Sequence, residues 1–383
     1  MPVKRGASAT SGSRAVHAPL PGQATPAGTA DHRARFAPQF APDFFRTLAG
    51  LSVSSLGLGT YLGEPTDEDD ARYAASTRTA LAAGINLLDS AINYRCQRSE
   101  RAVGRALRDA VADGVVRREE VVVCTKGGYL PLDGEPPPTR EAYDDYVRRE
   151  YLDPGIVRPD ELVGGGHSLA PDFLADQLAR SRANLGVETI DLYYLHNPEQ
   201  QLAGVSPARL RERLRGAFVL LEECAGRGEI AAYGCATWHG LRVPPGTRGH
   251  MELGDLVALA REVGGTRHHF RAVQLPVSLA MAEAVRLPTQ PLGGRPVPLL
   301  EAALALGVGV VVSAPLAQGR LAAGLPDEVR ESFPALATDA QRALAFARGL
   351  PGVCAVLAGM RSAMHVEENL AGARVAVALP TTE

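Results

Sequence analysis

The chain lacks most of what would assign it at a glance. Its five cysteines, Cys96, Cys124, Cys224, Cys235 and Cys354, are odd in number, scattered and form no CxxC pair. That spacing speaks against a disulfide framework or a zinc site and reads as reduced thiols in a cytoplasmic protein, with no metal expected. Charge of one sign is also missing. Forty basic and 43 acidic residues leave a formal net charge of -3, which offers no footing for nucleic acid or an anionic membrane. The longest uncharged apolar run, Ala302–Gln318, is broken by Gly307, Gly309 and Pro315 and falls short of the ~20 residues a membrane span needs. The N-terminus has no compact apolar core of a secretory signal. Finally, no GxGxxG follows the first strand-like run, which counts against an open doubly wound dinucleotide-binding sheet.

What the 383 residues do have is a core supply, 45% hydrophobic, arranged with a clear alternation. Residues 1–43, rich in Ala, Pro, Gly, Ser, Thr and Arg without either helical or strand period, read as a disordered or loosely packed tail, with wrapping of the tail around the domain as the alternative. Beyond it, eight apolar strand runs are legible at Ser55–Gly59, Ile85–Asp89, Val121–Thr125, Ile190–His196, Ala231–Ala236, Ala272–Pro276, Val308–Ser313 and Val353–Leu357. Helical segments lie between them. Thr66 with Asp69 suggests a capping box and Gly84 a helix stop. Ser206-Pro207 is an N-cap with proline at the first helical position, followed by an apolar face of Leu210, Leu214, Ala217, Phe218 and Leu221. Ser362 can cap the last helix. Strict βα alternation implies a parallel sheet, and eight units argue for closure, so the fold class is α/β, a (β/α)₈ TIM barrel over residues 44–383. A short N-terminal hairpin is expected over Phe44–Val53. A long insertion, about residues 129–170, follows the third strand; a βα loop of that length belongs to the catalytic face and is expected to act as a substrate lid.

Four polar residues stand at or just after strand ends. Asp89 ends the second strand in GINLLDSAINY, Tyr94 follows on the adjoining loop, Lys126 ends the third in VVVCTKGG, and His196 ends the fourth in DLYYLHNPE. Each alone has an ordinary reading as a turn former or rim residue. A barrel, however, brings all its C-terminal strand ends to one face. A physical account joins them: Lys126 can pull down the ~10 pKa of the Tyr94 phenol, Asp89 can compensate the buried ammonium, and His196 can orient a substrate oxygen.

This set resembles the catalytic tetrad of the aldo-keto reductase family, whose Gly-x-x-x-x-Asp-[Thr/Ser]-Ala-x-x-Tyr pattern GINLLDSAINY is similar to. The resemblance covers about Phe44 to Leu379 and is nearer a bacterial branch with YLHNPE and ATWHG segments. It implies that Tyr94 is the general acid, tuned by Lys126 and Asp89, with His196 orienting a carbonyl. It implies NADPH as cofactor rather than NADH, with Arg361 pairing with the 2′-phosphate. The resemblance carries the diphosphate side onto Leu316, Gln318, Gly319 and Leu321 in SAPLAQGRL, and the adenosine side onto Gly359, Met360, Arg361, His365, Glu368 and Asn369 in GMRSAMHVEENL. The carboxamide clamp falls on Thr237 and Gln274. It departs from the family's Ser-Asn at Ala236-Thr237 and from its stacking aromatic at Ser313. Trp238, the only tryptophan, and His239 are candidate pocket residues, as are Tyr143, Tyr146 and His167 of the insertion.

The expected function is reduction of a small-molecule aldehyde or ketone, or oxidation of the matching alcohol. A nicotinamide-binding regulatory or sensor subunit, and a non-redox lyase or epimerase reusing the phenol and lysine, are the other classes compatible with the same residues.

Overall fold

Continuous apolar runs such as VVCTKG and IDLYYLH suit strands covered on both faces, the situation in a parallel sheet enclosed by helices. In the computed structural model, which describes residues 18–376, eight such runs become strands at the expected places. The strands are β1 Phe45–Leu48, β2 Leu51–Ser54, β3 Leu56–Gly59, β4 Leu87–Asp89, β5 Val122–Gly127, β6 Ile190–His196, β7 Ile230–Ala236, β8 Phe270–Pro276, β9 Gln290–Leu292, β10 Arg295–Val297, β11 Gly309–Ser313 and β12 Val353–Gly359. The closed barrel runs β3-β4-β5-β6-β7-β8-β11-β12, and parallel pairing of β12 back onto β3 excludes the open sheet. β1 and β2 form the expected antiparallel hairpin; β9 and β10 form a second one.

The helices are α1 Pro26–Phe36, α2 Asp67–Ala82, α3 Arg98–Ala112, α4 Arg140–Val147, α5 Pro171–Leu185, α6 Pro207–Gly226, α7 Leu253–Gly264, α8 Glu283–Arg286, α9 Leu299–Leu306, α10 Asp327–Ser332, α11 Asp339–Gly349 and α12 Ala363–Ala373. α6 illustrates why they form. Ser206 accepts from the Arg209 N–H, Pro207 starts the helix, and Leu210, Leu214, Ala217, Phe218 and Leu221 are buried. Each large apolar side chain on that face contributes about 1.5–3 kcal/mol. Ser362 caps α12 through the His365 N–H. Thr66 caps α2, but the capping box is not closed. Asp69 accepts instead from Glu64 N and Arg361 Nη1, because an ion pair is available to it and the Thr66 N–H is already bonded to the Glu64 carbonyl.

Strand parity positions the site. One cluster fills the barrel interior with Leu87, Val122, Cys124, Leu192, Tyr194, Ala232, Ala236, Ala272, Val311, Ala355 and Leu357. Side chains two apart share a face. Continuing the same parity one step along each strand gives Asp89 after Leu87, Lys126 after Cys124, His196 after Tyr194 and Gln274 after Ala272. The inward column is thus apolar through the barrel and turns polar at its C-terminal end. Leu48, Val53 and Ala24 belong to the same cluster and close the opposite end.

Two expectations are corrected. Over residues 18–43 the loose tail gives way to packed structure. Thr25 caps α1, Pro26 takes its first position, and Thr29, His32 and Phe36 are buried. Ala24 N donates to Asp191 Oδ1 and His32 Nε2 bonds the Gly84 carbonyl. Residues 1–17 lie outside the described residues. The insertion, in turn, packs on itself the tyrosines that were expected at the pocket. It makes its own small core of Leu130, Val147, Tyr151, Val157, Ala170 and Phe173, with α4 inside it. Tyr146 and Tyr151 both donate to the Pro131 carbonyl, so its aromatics are consumed holding the insertion together.

Candidate active site

Asp89, Tyr94, Lys126 and His196 come together at the C-terminal mouth of the barrel. Lys126 Nζ lies 2.5 Å from Asp89 Oδ1 and donates to the Ser90 carbonyl at 2.7 Å. The other Asp89 oxygen accepts from Gln274 Nε2 at 2.8 Å. Lys126 Nζ is 4.8 Å from the Tyr94 ring centre, and the Tyr94 and His196 rings are 5.8 Å apart, edge to face. Tyr94 is followed by three residues in the left-handed region, Arg95, Cys96 and Gln97, each costing roughly 1–2 kcal/mol. They are held by Arg95 on Asp70 and the Glu64 carbonyl and by Gln97 between Leu132 and Asn184.

Burial sets the electrostatics. It works against the Lys126 ammonium, yet Asp89 and the Tyr94 phenol together outweigh it, and the lysine pKa ends above its ordinary value. Burial pushes the Asp89 carboxyl up, with Lys126 and Gln274 pulling it back. The same burial pushes the Tyr94 phenol up, and Lys126 offsets only part of this. The expected net lowering of that phenol by lysine is therefore reversed: desolvation of a phenolate exceeds its attraction to an ammonium already shared with Asp89. Tyr94 carries its proton. Burial, aided by Lys126, lowers His196 well below its usual value, so the imidazole is neutral and has one N–H to offer.

His196 is fixed from behind. Arg213 Nη1 donates to Gln201 Oε1, which sets the amide so that its Nε2 donates to His167 Nδ1 at 2.7 Å. His167 then carries its proton on Nε2 and donates it to the His196 carbonyl at 2.8 Å. His167, expected in the pocket, is a support behind it.

A cavity of about 690 Å³ runs from these residues to the start of α12. Thr237, Trp238, Gln274, Leu316, Gln318, Gly319, Gly359, His365, Glu368 and Asn369 line it as expected, along with Ala236 and Ser313. Leu321, His239, Tyr143 and Tyr146 are not among the lining residues. Neither is Met360, which is buried in the packing outside the barrel. Arg361 is also outside the lining and pairs with Asp69 at 3.1 Å, its side chain 43% exposed. Thr237 Oγ1 and His196 Nδ1 are buried without a partner among the described residues.

Sequence reasoning missed Tyr61, Leu62, Asn93, Tyr129 and Asn197, all in the lining. Tyr61 lies edge-on to Tyr94 at 5.1 Å and Tyr129 edge-on to His196 at 5.0 Å; Asn197 Nδ2 donates to the Tyr129 hydroxyl. Tyr61 and Tyr129 each stand two residues past a barrel strand, so the strand-end rule that found Lys126 could have found them.

The Aldo/keto reductase family model matches residues 55–242. The chain is 27% identical over 176 residues to prostaglandin-E(2) 9-reductase of Oryctolagus cuniculus, covering 46% of this chain and 42% of that protein. It is 28% identical over 190 residues to D-threo-aldose 1-dehydrogenase of Pseudomonas sp, covering 49% and 50%. It thus spans about half the length of these curated relatives or less. Among solved structures, the holo form of an aldo-keto reductase from Bacillus halodurans superposes with a TM-score of 0.58 at 22% identity, covering 87% of this chain and 91% of that one. An aldo/keto reductase from Klebsiella pneumoniae in complex with NADP and acetate gives 0.58 at 20% identity, covering 88% and 92%. At that identity these two likenesses carry the fold.

Proposed function

The chain belongs to the aldo-keto reductase family, and from that premise we propose that it is an NADPH-dependent oxidoreductase that reduces an aldehyde or ketone, or oxidises the matching alcohol, with Tyr94 as the proton donor. The observation that carries this reading is the buried Asp89–Lys126 pair beneath a protonated phenol at the end of a long cavity. A phenol held in its protonated form is the state a general acid needs at the start of a reduction.

The residues present fit a dinucleotide. The cavity is elongated between the tetrad and α12, and the buried, partnerless Thr237 hydroxyl matches a carboxamide. Thr237 and the free oxygen of Gln274 would hold the nicotinamide end, Leu316, Gln318 and Gly319 the diphosphate, and Gly359, His365, Glu368 and Asn369 the adenosine. Arg361 spends one nitrogen on Asp69 and keeps donors for a 2′-phosphate, which supports NADPH over NADH. When bound, the reduced nicotinamide supplies the hydride. The neutral imidazole of His196 donates to the carbonyl oxygen and fixes its direction. Tyr94 gives that oxygen its proton, and Lys126, anchored by Asp89 and the Ser90 carbonyl, stabilises the phenolate left behind. Among the described residues no Arg or Lys lines the cavity, while Tyr61, Leu62, Tyr129 and Trp238 do, which supports an uncharged, flat or apolar carbonyl substrate.

The test follows loss of reduced-nicotinamide absorbance with a panel of uncharged aldehydes and ketones. Tyr94→Phe is expected to bind NADPH normally and lose at least about 10²-fold in kcat; unchanged turnover would overturn the assignment. Tight NADPH binding without turnover on any carbonyl would favour a regulatory subunit, and product without cofactor oxidation a lyase or epimerase.

A further inference from the structure

β6 and β7 are neighbours in the barrel, and the turns that follow them lie against each other. Glu199 stands three residues past His196, in the 3₁₀ turn Pro198–Ala203. Its side chain is 0% exposed, an expensive place for a carboxylate unless something holds it there. One oxygen, Oε1, accepts three successive backbone N–H groups, from Trp238 at 2.6 Å, His239 at 3.1 Å and Gly240 at 3.3 Å. The other oxygen, Oε2, is buried without a partner among the described residues. Among the described residues no Arg or Lys lies within ion-pair distance; the His239 ring is 3.9 Å away. Successive N–H groups converging on one anion make a nest, here filled by the protein's own side chain. The nest immediately follows two cavity-lining residues. Thr237 already has its backbone N–H on the Gln274 carbonyl. Trp238, 43% exposed at the cavity mouth, has its own N–H on Glu199.

We propose that Glu199 is a positioning residue that determines specificity: by gathering the N–H groups of Trp238, His239 and Gly240 it sets the Trp238 ring at the substrate mouth. This rests on the oxidoreductase reading for its consequence in turnover, but not for its structural content. Gly240 is matched to the clamp. A Cβ there would sit 3.2 Å from the Glu199 Cβ, so a side chain at residue 240 would press on the Glu199 stem and push it back by a few tenths of an ångström.

Trp238 is the only tryptophan, so the protein's indole emission reports this turn and nothing else. In the free protein, Glu199→Ala is expected to move that emission to longer wavelength and to raise acrylamide quenching about two-fold, the indole being freed to water. Glu199→Gln keeps an accepting oxygen and is expected to retain wild-type emission. In turnover, Glu199→Ala raises KM about five-fold or more while kcat changes less than about two-fold, since a mouth contact binds ground and transition states alike. Glu199→Gln restores KM. Gly240→Ala, which leaves the carboxylate in place and crowds it, shifts emission and KM in the same direction and by less. It remains a test if Glu199→Ala does not fold. The proposal is overturned if Glu199→Ala, or Gly240→Ala where that variant must stand in, keeps wild-type emission and quenching, or if Glu199→Gln is as damaging as Glu199→Ala. If emission responds as stated and no carbonyl is turned over, the clamp stands and the function falls.

Discussion

The two walls of the reacting end of the cavity are finished to different degrees. On the β4–β5 wall, Lys126 is bonded to Asp89 and the Ser90 carbonyl, and the second Asp89 oxygen is held by Gln274. On the β6–β7 wall, His196 Nδ1 and Thr237 Oγ1 are buried with nothing to bond, and Ala236 has no side-chain donor to add. Buried polar groups are almost always partnered, so the contrast divides the labour. On the function proposed above, the lysine–aspartate pair that would support proton transfer is satisfied within the protein, whereas the groups that would meet cofactor and substrate are left for ligands to complete, Asn93 Oδ1 beside Tyr94 among them.

The sharpest way to break the comparison is to unfinish the finished wall. Lys126→Met leaves Asp89 buried beside an apolar chain. Removing one partner of a buried pair costs about 3–5 kcal/mol of stability, and kcat is expected to fall by about 10²–10⁴ with the support for the phenolate gone. Thermal unfolding and single-turnover rates with NADPH check both halves. A variant with wild-type stability would mean that Asp89 is held by its other contacts.

His167 tests the support behind His196. Burial lowers its pKa from 6.5 to about 4, so the folded protein binds its proton less readily than the unfolded chain does. Its contribution is present above pH 6.5 and is lost as pH falls towards about 4, amounting to about 3 kcal/mol at about 1.36 kcal/mol per unit. Denaturant unfolding between pH 7 and 4 should show this acid limb, and His167→Gln should flatten it. An unchanged limb would place the acid sensitivity elsewhere.

These contrasts were unevenly legible in the sequence. The eight strands were plain because each is a continuous apolar run, and the tetrad because three of its members carry the inward parity of those runs one step beyond the apolar layer. α1 was not, because its buried positions are Gly28, Thr29, His32 and Phe36, a set with no apolar period. Contacts far along the chain stabilise it, such as Gly28 seated against Glu119. Yet Thr25-Pro26 is the same cap-and-proline signal as Ser206-Pro207 and could have been used. The insertion misled for the opposite reason. Its tyrosines look like ligand contacts, but a long excursion must bury something to hold its shape, and Tyr143, Tyr146 and Tyr151 supply its own core. Only Tyr129, at its base, lines the cavity.

Arg361 stands just outside the lining at the far end of the same cavity, next to Met360 and Gly359, and its pairing with Asp69 could not be read from the sequence. Asp69 also holds the Glu64 N–H in the turn after Tyr61 and Leu62, so the arginine joins the segment before α12 to the cavity rim at those two residues. Arg361→Ala is expected to weaken NADPH about ten-fold, roughly 1.4 kcal/mol, and NADH hardly at all. Equal loss of both cofactors in titrations would assign Arg361 to holding the Asp69 turn instead of a phosphate.

The smallest effect bears most directly on the unfinished wall. Thr237 is buried with its hydroxyl unpartnered, and a buried hydroxyl without a hydrogen bond costs about 1–3 kcal/mol relative to water. Thr237→Val keeps the shape and removes the hydroxyl. In the free protein the change should therefore be neutral or stabilising by up to about 1 kcal/mol, whereas hydroxyl-to-methyl swaps at bonded sites destabilise. In the complex the sign reverses, because the carboxamide loses its donor and NADPH affinity falls by about three- to ten-fold. Thermal unfolding with and without NADPH separates the two terms. If Thr237→Val is less stable than wild type even without cofactor, the hydroxyl has a partner inside the protein and the β6–β7 wall is as complete as its neighbour.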